Sequence, residues 1–394
     1  MMSDPFFTDA EYESRLQKVK HRMAEASVDT LLVADANNIF WLTGAADWSF
    51  YTPQFVIVSL QESKPIWIGR AMDAPGAALT SWMGAEHVIG YPEDYVMRKD
   101  IHPSQYIGEY VANRWPNARR VGYESDSYFF SPRSLSCLIA QLPNAVFVDC
   151  DLLVNRVRVV KSETEIRYHR EAAVIVQGAM RVAQDLIRPG VRQSDVIAEI
   201  YKAQITPDAP FGGDITALCP IILAGEKASA AHPAWTDEKF TDNQTVAIEL
   251  AGARRHYTTG LARTVHLGSN PPAELVNTAA AVEEGMHEVL AMVKAGVSGA
   301  DVHATWQQVL NRHGLRKDSR IGYSIGIGLP PDWGEHVISL RPGEHEPIEG
   351  NTTLHIILGM WMKGWGMETS ETIVVQPQGY ECLTRFPRSV NIKR

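Results

Sequence analysis

The feature that most constrains this chain is a short internal echo. Ile187–Ala198 reads IRPGVRQSDVIA, and Val293–Ala304 reads VKAGVSGADVHA. Each copy ends a helical pattern, stops it at a glycine, and restarts a helix after a turn carrying Asp. Helix-like and strand-like stretches follow both copies in the same order, so this half of the chain reads as two related α/β halves. Upstream of the echo, Ser162-Glu163-Thr164-Glu165 is a Ser-x-x-Glu capping box that opens a helix running to about Ile187.

The remaining N-terminal stretch has a different rhythm. Asp9–Ala26 predicts an amphipathic helix with Leu16, Val19, Met23 and Ala26 on one face. Thr30–Ala34, Gln54–Leu60 and Pro65–Ile68 read as strands, and segments around Arg120–Tyr123 and Ala145–Val148 continue the alternation. The 394 residues exceed what one hydrophobic core organises. The expectation is an α/β (α+β) chain in two domains, 1–160 and 161–394.

Composition narrows the function classes. The apolar fraction of 45% and charged fraction of 21% are those of a globular protein. A net charge of −9 argues against a nucleic-acid partner, which needs a basic footprint, and leaves room for a small zwitterionic substrate. Cys137, Cys150, Cys219 and Cys382 are scattered without CxxC spacing, as expected of thiols in a reducing compartment. The first twenty residues carry early charges and no long apolar run, and no stretch has the length of a membrane span. A cytoplasmic protein with no membrane partner is expected. No P-loop, GxSxG elbow, HExxH or strand-linked GxGxxG occurs, and no cofactor is expected.

Two motifs point to a family. Val246–Gly268 reads VAIELAGARRHYTTGLARTVHLG, and Arg320–Glu335 reads RIGYSIGIGLPPDWGE. They resemble stretches of the methionine aminopeptidase/prolidase/creatinase ("pita-bread") family that supply metal ligands. The resemblance places Glu249 and Gly260 at the two aspartate positions, and Tyr323 at the histidine. It places Ile357 at one late glutamate and Glu371 at the last. The blocks WLTGAADWSFYTPQ, GRAMDAPGA and YPEDYVMRKDIHP, with Ala231-His232-Pro233 and the tail RFPRSVNIKR, are similar to the creatinase and especially the ectoine hydrolase branches. Thr258-Thr259-Gly260 departs from the His- and Pro-bearing pattern of the latter. The resemblance implies a creatinase-like α/β domain, a pita-bread domain in two pseudo-symmetric halves, a homodimer, and a site working without metal.

The residues suggest how. A carboxylate in the apolar run VAIELAG is costly unless paired or used. Glu249 can attack an amidine carbon, anchor an amidinium, or pair with Arg263. His232, at the position of the family's acid/base histidine, can take and give a proton near neutrality; an ordinary surface histidine is the alternative. Tyr323 can donate to a developing oxyanion or simply pack. Glu371 completes the expected catalytic group. Glu335, Tyr257, His355 and Glu368 are expected to line the substrate, with His355 equally readable as a satisfied core histidine. Several carboxylates in one small site favour a cation and raise the pKa of one of them. Trp48, Phe50 and Tyr51 offer aromatic faces to a cation. With Asp73, Asp94 and Tyr95, the resemblance has them reach across a dimer interface.

The expected activity is metal-independent opening of the cyclic amidine ring of ectoine or 5-hydroxyectoine to N-acetyl-2,4-diaminobutyrate. The alternatives are a creatinase-like amidinohydrolase on an acyclic guanidine, a metal-dependent Xaa-Pro aminopeptidase or prolidase, and an inert ligand-binding homologue.

Overall fold

A computed structural model describes residues 6–46 and 48–393. Asp47, within the Trp41–Gln54 block, lies outside them, as do the first five residues and Arg394. The chain divides into two compact units, Met1–Arg158 and Val159–Arg394.

In the first unit, Thr8 caps helix α1 (Asp9–Glu25), which buries Tyr12, Leu16, Val19 and Met23 at helical spacing. Ala26, expected on that face, is exposed and serves as the C-cap. The apolar run Thr30–Val33 is fully buried as strand β1, and α2 (Ala36–Thr43) follows. Next come β2 (Phe55–Ser59), β3 (Ile66–Arg70), α3 (Ala74–Thr80) and β4 (Val88–Tyr91). The unit closes with α4 (Pro103–Arg114), β5 (Arg120–Tyr123), α5 (Pro132–Gln141), β6 (Val146–Asp149) and α6 (Leu153–Arg158). Among the described residues the sheet order is β4-β3-β2-β1-β5-β6. The β1–β5, β3–β4 and β5–β6 pairs are parallel, and β2 is antiparallel to both its neighbours. Leu32, Phe55, Ile57, Ile68 and Val121 pack with Ile107 and Val111 of α4 to form its core.

The second unit opens where the capping box predicts. Ser162 Oγ accepts from Glu165 N (3.2 Å), and Glu165 Oε2 accepts from Ser162 N (2.7 Å), at the start of α7 (Glu163–Leu186). Then come α8 (Gln193–Ile205), β7 (Ile221–Ala224), β8 (Gln244–Arg254) and β9 (Tyr257–Leu267). The second half runs α9 (Ala273–Met292), α10 (Gly299–Arg312), β10 (Gly322–Leu329), β11 (Asp332–Ser339), β12 (Thr353–Met362) and β13 (Trp365–Gln376). Two short strands, β14 (Gly379–Cys382) and β15 (Asn391–Lys393), end the chain.

The echo is structural as well as sequential. Gly190 and Gly296 have φ of 86° and 91°, a conformation that favours glycine. Gly190 N donates to Phe240 O and Gly296 N to Ile348 O, both at 2.9 Å. Residues Arg192 and Ser298 then form matching antiparallel bridges to Lys239 and Pro347.

Among the described residues the larger sheet runs β14-β13-β12-β10-β9-β8-β7, with β11 on β10 and β15 on β9. Helix α7 (Val176, Ala179, Met180) and α8 (Val196, Ile200) pack on Val246, Ile248, Leu250, Leu261 and Val265. Helix α9 (Val282, Met286) and α10 (Val302, Trp306) pack on Leu354, Ile356, Leu358, Met367 and Ile373. Side chains alternate along a strand, so the residues between these point away from the helices. That alternation puts Glu249, Gly260, Tyr323, His355, Ile357, Glu368 and Ser370 on the helix-free side. Among the described residues no helix is long and apolar enough to cross a membrane.

Candidate active site

Glu249 sits mid-strand in β8, opposite Ala262 of β9, and is 6% exposed. Among the described residues none donates a hydrogen bond to it, and burial pushes its carboxyl up to about 7. Glu368 of β13 is buried, with Oε2 unpartnered among the described residues. Its pKa is raised well above the ordinary value, by burial first and then by the charge of Glu249; the Lys317 cation opposes the rise. The same Glu249 charge, after burial, raises the Tyr323 phenol. Glu249, Glu368 and Tyr323 therefore form one electrostatic cluster. Trp333 Nε1 donates to Tyr323 Oη at 2.7 Å, which leaves the phenolic proton available to another acceptor.

His355 completes the cluster. It is opposite Tyr323 in the β10–β12 ladder, fully buried, and among the described residues neither ring nitrogen has a hydrogen-bond partner. Burial first, and the charge of Arg263 second, lower its pKa to about 3, so the imidazole is neutral at ordinary pH. It is not the satisfied core histidine weighed from sequence.

Other expected site residues are committed elsewhere. Glu371 lies on the helix-side face of β13. It accepts from Arg263 Nη2 (2.8 Å), Arg388 Nε (2.8 Å) and Thr384 Oγ1 (2.6 Å), and so does not join Glu249. The reason is register. Lys363-Gly364 connects β12 to β13, and the ladder outward from that turn pairs Ile356 with Glu371 and Ile357 with Ser370. If Ile357 stands at a ligand position, its neighbour on the same face is Ser370, whose Oγ accepts from Ala262 N at 2.6 Å. The carboxylate on this face is Glu368, one pleat away. Arg263 belongs to Glu371, not to Glu249.

Glu335 is buried in an ion pair with Lys161 (2.6 Å), and Tyr257 Oη donates to Glu165 Oε1 (2.6 Å). Both are structural supports at the start of α7 rather than open substrate contacts. His232 is exposed, three residues beyond the turn Gly225–Ser229, and is not brought into the buried cluster.

The aromatic and acidic candidates of the first unit sit near its surface. Trp48 and Tyr51 are 52% and 61% exposed, and the Trp48 and Phe50 rings lie 5.1 Å apart. Asp73 accepts a hydrogen bond from Ser49 Oγ. Asp94 is exposed, and Tyr95 meets Tyr106 edge-on at 5.6 Å. Tyr51 and Tyr95, with Arg98, His102 and Arg133, line a cavity of about 220 Å³ within this unit.

Sequence reading missed Trp333, Ser370 and Lys317. Ser370 had a signal: counting outward from the two-residue Lys363-Gly364 turn places it beside Ile357. Lys317 had none. It lies before β10, and its Nζ donates to Gly359 O, across the ladder from Glu368.

Comparison with known proteins fits this geometry. Residues 167–377 match the model of metallopeptidase family M24, and residues 15–160 match the creatinase/prolidase N-terminal domain. An ectoine hydrolase of Halomonas elongata is 39% identical over 98% of both chains. The chain belongs to metallopeptidase family M24. An uncharacterised hydrolase/peptidase of Sinorhizobium fredii is 38% identical over 98% of both chains. Among solved structures, the prolidase of Pyrococcus horikoshii superposes with a TM-score of 0.81 at 18% identity, over 95% of this chain and 99% of that one. That similarity establishes the two-domain fold expected from the motifs.

The M24 fold raises the question of a metal pair, which requires several carboxylates and an imidazole converging on two ions. At the corresponding places only Glu249 offers a carboxylate. Gly260 and Ile357 have no donor, and the Tyr323 phenol is held protonated. The Ser370 hydroxyl is engaged by the backbone, and Glu371 faces two arginines. Among the described residues no group of three or more His, Cys, Asp or Glu is arranged to hold an ion. These donors do not fit a metal pair.

Proposed function

We propose that this M24 protein hydrolyses the cyclic amidine of ectoine or 5-hydroxyectoine without metal, giving N-acetyl-2,4-diaminobutyrate. The observation that carries the reading is the buried Glu249–Glu368 pair on a sheet face whose metal-ligand positions are otherwise neutral. Two carboxyls in one low-dielectric site hold one proton between them, giving an acid and a base together. The 39% identity to the Halomonas elongata ectoine hydrolase supports the substrate class.

In this reading Glu249 is ionised and Glu368 is protonated. Glu249 anchors the amidinium and takes a proton from the attacking water. The water oxygen bonds to the amidine carbon, and Tyr323 donates to the charge that develops there. Glu368 protonates the departing ring nitrogen as the C–N bond breaks. One water is consumed: its second proton passes to the now ionised Glu368 as the carbonyl forms, and an acetamido group and an amine result. His232, on the exposed segment, returns the displaced proton through solvent. Trp48, Phe50 and Tyr51 of a partner subunit, with Asp73, Asp94 and Tyr95, cover the site in a homodimer.

The test is to incubate chelator-treated protein with ectoine, hydroxyectoine and creatine, and to follow each by NMR. Loss of ectoine or hydroxyectoine with appearance of the acetylated diamine supports the reading. Turnover of creatine alone moves the assignment to an acyclic guanidine. No turnover of any of the three without metal, or turnover only after a divalent ion is restored, sinks it.

A further inference from the structure

A β-carbon at Gly260 would lie 2.9–3.1 Å from Cε1, Nδ1 and Nε2 of His355. The imidazole thus occupies the volume that any side chain at 260 would need. Gly260 and His355 are one feature written at two places: the missing side chain on β9 makes room for a ring carried on β12. The ring is held edge-on by Tyr323 (5.8 Å) and Trp333 (5.9 Å), so its position is fixed by packing rather than by hydrogen bonds.

A fully buried imidazole with two nitrogens unpartnered among the described residues is costly, because each unsatisfied group has given up its hydration. Most buried polar atoms in folded proteins are bonded, and one that is not calls for an explanation. Here the ring shares a sheet face with two carboxyls, and its lone pair is an acceptor that carries no charge.

We infer that His355 is a substrate-recognition residue whose neutral imidazole accepts a hydrogen bond from an amidine N–H, while Glu249 faces the positive charge of the same group. A protonated amidine presents N–H donors on both nitrogens, so it satisfies a carboxylate and a neutral acceptor at once. A simple ammonium ion lacks that planar pair of donors. A metal ion would need a ligand at 260, where the ring now sits. The inference rests on the amidine reading above, yet its test does not require turnover.

Acetamidinium serves as the probe. With the histidine rings labelled with ¹⁵N, and resonances assigned by comparison with His355→Asn, acetamidinium is expected to shift the His355 ring nitrogens without protonating them. Methylammonium at the same concentration is expected to leave them unchanged. His355→Phe keeps an aromatic ring but no acceptor, and should weaken acetamidinium binding at least tenfold by calorimetry. His355→Asn, which retains an amide acceptor, should recover part of that loss. Gly260→Ala, which displaces the ring, should weaken binding in the same sense with Glu249 intact. If wild-type protein turns over ectoine, His355→Phe should raise KM more than it lowers kcat and leave the pH profile in place. Equal binding by wild type and His355→Phe, an unmoved His355 signal at saturating acetamidinium, or no binding of acetamidinium by wild type would each overturn the inference. Failure of ectoine turnover with the binding results intact would overturn only the substrate assignment.

Discussion

Glu249 shows how one residue sets a pH dependence. Its carboxyl titrates at about 7 in the fold, against an ordinary value of 4.5. Between those values the unfolded chain releases a proton that the folded chain keeps. The contribution to stability is therefore full below about pH 4.5, falls as pH rises, and is exhausted above about 7. The lost stability is on the order of 3 kcal/mol, and Glu368, raised in the same direction, adds to it. Glu249→Gln should flatten this decline and make the protein more stable than wild type at pH 8, while abolishing turnover. Urea unfolding at pH 5 and pH 8 measures the first effect. An unchanged pH slope in the variant would show that the carboxyl is not held as an acid. Glu371 makes the opposite case. Arg263 is fully buried against it, so Glu371→Ala should cost about 3–5 kcal/mol by stranding a buried charge. The soluble yield and unfolding midpoint should fall, and the activity of whatever folds should be nearly normal.

Among elements, α7 carries most of the local determinism. Its capping box was legible because Ser and Glu satisfy orphan amides at that spacing in any context. Ser162→Ala should cost about 1 kcal/mol and leave activity intact, read as a small shift of the unfolding midpoint. Glu165 should matter more, because one carboxylate both caps α7 and accepts from Tyr257. The β12–β13 hairpin shows what period-two counting delivers and where it fails. The turn sets the register, and the register decides that Ser370 rather than Glu371 faces the site. Motif resemblance placed the glutamate one residue off, and a one-residue shift in a strand reverses the face. Lys161 and Glu335 join the start of the unit to β11, 174 residues apart. Lys161→Met should destabilise by about 3–5 kcal/mol, and Lys161→Met with Glu335→Leu by less, because no charge is then left alone.

For the whole molecule, the sharpest expectation concerns metal. Exhaustive chelation should leave the unfolding temperature and the rate of the proposed ectoine opening within error, and metal analysis should find far less than one ion per chain. Loss of activity on chelation that zinc, manganese or cobalt restores would return the protein to the metallopeptidase reading. Exposed aromatics at Trp48 and Tyr51 belong to the same scale. If a partner subunit uses them to cover the site, sedimentation should give a dimer, and Tyr51→Ala should raise KM without unfolding either unit.

The sequence by itself determined the two-unit organisation, the echoed halves, the capped helix and the loss of ligands at 260, 323 and 357. The first three rest on local rules of periodicity, capping spacing or a glycine stop, and the ligand positions rest on the family resemblance of the motifs. It also singled out Glu249, because a charge inside an apolar strand is conspicuous in one dimension. Tertiary structure alone decided which polar residues are spent and which are left over. Lys161 claims Glu335, Glu165 claims Tyr257, and the arginines claim Glu371, while Glu249, Glu368 and His355 have no hydrogen-bond partner among the described residues and share one face. Pairing of that kind depends on distances across strands far apart in the chain. Burial then converts it into chemistry, because a low dielectric raises the pKa of a carboxyl that has no partner.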